Sequence, residues 1–156
     1  MKILIAVDGS RFAEEILAEL SRLTWPKDSI FRIITTVEKT SSWETEKQYL
    51  EQGTVILNDR IQWLKNHMNG VDVSGEVVIG SAQSMITQEA RAWQADLIVI
   101  GSHGDTGIRR DRIGSVAAAV ANTAPCSVEI IKVGKTHKTH SDTAAALNET
   151  SSAPVL

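Results

Sequence analysis

Cysteine is almost missing from this 156-residue chain: Cys126 stands alone. No intrachain disulfide framework is therefore available, and a reducing, cytoplasmic setting is expected. In the context Ala-Pro-Cys-Ser this residue reads as a small buried apolar one rather than a redox or catalytic group. Excess positive charge is missing too. A formal charge of −3 argues against a chain whose main task is to grip nucleic acid through its phosphates. No apolar run approaches the ~20 residues that a membrane-spanning helix needs, so no membrane partner is expected. The short apolar start, Met1 to Val7, is cut by Asp8 and lacks a cleavage pattern, so it reads as a first core strand. A full Walker A pattern is missing as well, and Gly-x-Gly-x-x-Gly does not occur. Aromatics make up 4% of the residues; Trp25, Trp43, Trp63 and Trp93 fall on separate segments and are assigned packing roles. His137 and His140 have no further ligand nearby, so no metal centre is expected there.

What is present is an alternation of strand-like and helix-like segments. Strands are expected over Ile3–Val7, Ile30–Val37, Val73–Ile79, Leu97–Ile100 and Val128–Val133. A first helix follows Asp8-Gly9-Ser10, with Phe12, Ile16, Leu20 and Leu23 as its apolar stripe, and ends before Trp25-Pro26. A longer polar helix carries Leu50, Leu57, Ile61, Leu64 and Met68; a third, after Gly80-Ser81, turns Ile86, Ala90 and Trp93 inward; a fourth spans Ser115–Ala124. Strands separated by helices imply an α/β fold, a doubly wound parallel sheet with helices on both faces. With 42% apolar residues the chain forms one domain, 1–134, followed by an aperiodic polar tail, 135–156, expected to be disordered.

The stretch from Asp96 to Val116 carries the functional signal. Leu97–Ile100 reads as a fully buried strand, breaks at Gly101 into a loop with Gly104 and Gly107, and resumes at Gly114-Ser115 where a helix starts. Strand, glycine loop and helix N-terminus in that order suit a phosphate, because backbone approaches it closely and free N–H groups point at it. In parallel sheets ligands bind beyond the carboxyl ends of the strands, where neighbouring connections diverge. Asp8-Gly9-Ser10 and Gly101–Ile113 meet at one such point if the first and fourth strands are neighbours.

The chain resembles the universal stress protein family. The likeness rests on Ile5-Ala6-Val7-Asp8-Gly9-Ser10, on Ala95-Asp96-Leu97-Ile98-Val99-Ile100-Gly101-Ser102-His103-Gly104, and on Gly114-Ser115-Val116 with Ala124-Pro125-Cys126. The family's pattern of Gly, two residues, Gly, nine residues, then Gly-Ser or Gly-Thr is met by Gly101, Gly104 and Gly114-Ser115 without a gap. The resemblance implies strand order 3-2-1-4-5 and an ATP site, with Mg²⁺ bridging the phosphates. It places Ala6, Val7 and Asp8 on the ribose and adenine side, and Val37 against the adenine. Gly101, Ser102, His103, Gly104, Asp105, Thr106 and Gly107 would follow the ribose and phosphates, and Gly114, Ser115 and Val116 would hold the terminal phosphates. A bulky side chain at Gly114 is expected to obstruct them. His103 has a loop-shaping role in this reading. Where many members are apolar this chain has Arg109, Arg110 and Arg112, either phosphate contacts or a solvated or partner-facing loop.

The resemblance further implies a homodimer through the fifth strand, whose apolar residues face both sides; a second copy or the polar tail would cover that edge. The leading expectation is a cytoplasmic, dimeric, ATP-binding regulatory switch with an unknown protein partner and at most slow hydrolysis. Its rivals are a slow ATPase or nucleotidyl-transfer enzyme on the same site, and a dimeric interaction module that binds no nucleotide.

Overall fold

The computed structural model describes residues 1–104 and 112–133. Nine elements alternate along them: β1 (Lys2–Ala6), α1 (Phe12–Arg22), β2 (Ile30–Val37), α2 (Trp43–His67), β3 (Asp72–Ile79), α3 (Ala82–Trp93), β4 (Leu97–Gly101), α4 (Ser115–Thr123) and β5 (Ser127–Ile131). The strands form one sheet in the order β3-β2-β1-β4-β5, and every pairing is parallel.

β1 and β4 lie at the centre with neighbours on both sides. Their sequences, KILIA and LIVIG, are apolar almost throughout because both faces of a central parallel strand are covered. Helices α1 and α2 cover one face, where Phe12, Ile16, Leu17, Leu20, Leu57 and Leu64 meet Ile3, Ile5, Phe31, Ile33 and Val99. Helices α3 and α4 cover the other, where Ile86, Ala90, Ala117 and Val120 meet Leu4, Ala6, Ile34, Ile98 and Ile100. The alternation along β1 is thus an alternation between two cores.

Several local expectations are corrected. Leu23 leaves the α1 stripe and is exposed, because the helix ends at Arg22 and Leu23 takes an extended conformation as its C-cap; Ala13 and Leu17 fill the buried face instead. Trp43 opens α2 ahead of the part that lies on the sheet and is 67% exposed rather than packed. Trp25 does pack, edge-on to Phe31, with its indole N–H donated to the Leu20 carbonyl at 3.0 Å. Strand β5 ends at Ile131, short of Val133, whose amide leaves the sheet for a side chain. The 135–156 tail and Asp105, Thr106 and Gly107 lie outside the described residues. No described helix is long and apolar enough to cross a membrane.

Candidate functional site

At the carboxyl ends of β1 and β4 the chain leaves the sheet toward opposite faces, into α1 on one side and α4 on the other. A parallel sheet opens a crevice at such a point. Here its volume is about 520 Å³. The β1 end contributes Ala6, Val7 and Asp8; the β4 end contributes Gly101, Ser102, His103 and Gly104; the start of α4 contributes Gly114, Ser115, Val116 and Ala117. Residues the motif did not flag complete the wall: Ile16, Ile34, Thr36, Ala82, Ile86, Ile100, Arg112 and Ile113.

Asp8 is exposed and held in place by its own turn: its Oδ1 accepts the Ser10 amide at 3.0 Å. Its other oxygen lies so close to Gly104 that a Cβ there would stand 2.8 Å from it. Glycine at 104 therefore lets the loop after β4 pass directly over the carboxylate.

Ser102 is the structural hub of that loop. It is 4% exposed, yet every polar group it has is engaged. Its amide donates to the Ile131 carbonyl at 2.7 Å and its carbonyl accepts the Gly114 amide at 2.7 Å. Its hydroxyl accepts the Val133 amide at 3.3 Å and lies 3.0 Å from His103 Nδ1. Either atom can be the donor of that contact, according to the imidazole tautomer. Among the described residues, His103 Nε2 and the Ser10 hydroxyl are buried without a partner. The contact with Ser102 ties the His103 ring to the loop after β4.

The N-terminus of α4 is open. Its N-cap Gly114 supplies no side-chain cap, and the first helical hydrogen bond runs from Ala118 to the Gly114 carbonyl at 3.0 Å. The amides of Ser115, Val116 and Ala117 thus lack helical partners and carry the positive end of the helix dipole. A Cβ on Gly114 would stand 3.0 Å from the Ser102 carbonyl and 3.6 Å from His103 Cα. A side chain there would also press on the loop that follows β4.

Among the described lining residues, Asp8, His103 and Arg112 are the titratable or charged ones. Arg112 forms no ion pair with a described carboxylate. The crevice therefore has an acidic end at β1, an apolar middle built on Ile34, Ile86 and Ile100, and a positive end at α4. Val37 is not part of this wall: its carbonyl accepts the Gly80 amide at 2.9 Å and Thr36 borders the crevice instead. No signal in the motif pointed to Ala82 or Ile86, which arrive from α3 through the tertiary fold. Cys126 packs beneath the α3–α4 side, where burial and the Asp96 charge push its thiol up, so it remains a protonated apolar filler.

The profile of the Universal stress protein family matches residues 1–132. The chain belongs to the universal stress protein family. Its relatives include universal stress protein A homolog 2 of Coxiella burnetii, 28% identical over 85% of this chain and 94% of that one. Among solved structures, the protein MJ0577 superposes with a TM-score of 0.78 at 22% identity, covering 86% of this chain and 97% of that one. A universal stress protein in complex with cAMP superposes at 0.68 with 21% identity, covering 84% and 96%. A universal stress protein family protein of Arabidopsis thaliana with AMP bound superposes at 0.59 with 22% identity, covering 92% and 99%. These likenesses confirm the strand order expected of a universal stress protein.

Proposed function

We propose that this universal stress protein binds an adenine nucleotide in the crevice between β1 and β4 and acts as a nucleotide-dependent regulatory switch in the cytoplasm. The observation that carries this reading is the gradation along one crevice: a carboxylate, an apolar wall, then uncapped helix amides. A ribose hydroxyl donates well to Asp8, a base lies against Ile34, Thr36 and Ile86, and phosphates suit the amides of Ser115 and Val116. Related folds solved with cAMP and with AMP support the ligand class.

ATP is the form we propose. Mg²⁺ would travel on its phosphates, because the described residues contain no cluster of three or more metal-ligating side chains and Asp8 is the one described carboxylate on the wall. Among the described lining residues no side chain is arranged as a base beside the α4 amides. Asp8 sits at the nucleoside end and His103 Nδ1 is taken by Ser102. This supports binding with hydrolysis far below the roughly 10 s⁻¹ typical of enzymes.

A switch must bind its ligand differently in two states. The state we propose to be biased is a homodimer paired through β5, whose Val128 and Ile130 face one core and Ile131 the other while its outer edge is unpaired among the described residues. The test is mass spectrometry of nucleotide extracted from the purified full chain, followed by calorimetric titration and by sedimentation with and without ATP. Bound adenine nucleotide and a shift in dimer population support the reading. No nucleotide carried through purification and no ATP binding on titration refute it.

A further inference from the structure

We propose that Arg112 sets the number of phosphates this crevice prefers, making it selective for a nucleoside triphosphate over a monophosphate; the inference rests on the nucleotide-binding reading above. The family's glycine spacing specifies Gly101, Gly104 and Gly114-Ser115 and leaves residue 112 open, so the motif does not account for an arginine there. The structure puts that arginine on the crevice wall, two residues before the α4 N-cap. The residue is exposed and forms no ion pair with a described carboxylate.

The chemistry of the two ends then separates the ligands. Asp8 and the apolar wall interact with the nucleoside, which AMP and ATP share. The α4 amides offer a fixed partial charge, about half an elementary charge over the first turn, which suits a single phosphate group. Further phosphates bring further negative charge that the amides alone do not balance. A guanidinium supplies planar, paired N–H donors for phosphate oxygens and remains charged at any working pH. Arg112 therefore stabilises ATP more than ADP, and ADP more than AMP, while leaving the nucleoside contacts unchanged.

The test titrates ATP, ADP and AMP into the full chain and into Arg112→Met, which keeps an apolar stem but removes the charge. Lys27→Met, at the opposite end of the sheet, is the control for the loss of one positive charge. The expected result is a loss of ATP affinity of about tenfold or more in Arg112→Met, with AMP changed less than about twofold and Lys27→Met like the wild type. The ratio of ATP to AMP affinity would then collapse in one variant only. A ratio unchanged in Arg112→Met, or lowered equally in Lys27→Met, overturns the proposal while leaving the nucleotide site standing. Wild-type chain that binds none of the three nucleotides overturns the underlying reading and the proposal with it.

Discussion

Replacing Ser102 by Ala should loosen the tie between the loop after β4 and the end of β5 without dismantling the fold. The substitution removes the acceptor of the Val133 amide and the partner of His103 Nδ1. Val133 is 5% exposed, so its amide has little access to water as a replacement. A buried donor left unpaired costs about 1–3 kcal/mol. For a domain of this size each kcal/mol moves the melting temperature by roughly 2–4 °C, so a fall of about 2–12 °C is expected. Hydrogen exchange provides the local assay. The Val133 amide should exchange faster in Ser102→Ala, whereas the Gly114 amide, held by the backbone carbonyl of residue 102, should keep its protection. Unchanged exchange at Val133 together with an unchanged melting temperature would refute the hub role assigned to the Ser102 hydroxyl.

The carboxyl of Glu76 is pushed above its usual value of 4.5, first by burial and then by its hydrogen bond to and repulsion from Glu89, with Arg32 opposing; its Oε1 is buried without a partner. A carboxyl whose pKa is higher folded than unfolded supports the fold below 4.5 and loses that support as pH rises through the raised value, so Glu76→Gln should melt higher than wild type at neutral pH and like it in acid. Thermal melts across pH would show this, and a difference that does not grow with pH would be inconsistent with it. Gly104→Ala would set a Cβ 2.8 Å from Asp8 Oδ2 and should lower nucleotide affinity by about tenfold, a loss of roughly 1.4 kcal/mol measured by calorimetry. Because the collision partner is the carboxylate, the double variant with Asp8→Ala should cost less than the two single changes added together; strict additivity would point to another cause.

Much of this protein was legible along the chain because the decisive signals are local. Leu97-Ile98-Val99-Ile100 is apolar at every position, and a strand of that kind is stable only between two covered faces, which predicts a central parallel strand. The spacing of Gly101, Gly104 and Gly114 marks where backbone crowds against backbone or carboxylate, and Gly104 over Asp8 and Gly114 against Ser102 are those contacts. Periodicity likewise gave the inward face of α3, where Ile86 and Ala90 are buried.

What the tertiary structure alone decided is which distant residues share the crevice. Periodicity reports the face a side chain occupies, not the element it will meet, and so Ile34, Thr36, Ala82 and Ile86 became its wall only once β1 and β4 were neighbours and α3 lay across them. Val37 matched the family's position, whereas its neighbour Thr36 borders the crevice. Arg112 was one of three loop arginines; Arg109 and Arg110 lie outside the described residues, and Arg112 borders the crevice. Trp43 read as a core residue by type and is exposed because α2 begins before it reaches the sheet. The chain's local chemistry determines strands, turns and a phosphate-competent loop, but the partners of each side chain follow from strand order and helix placement, which depend on contacts far apart in sequence.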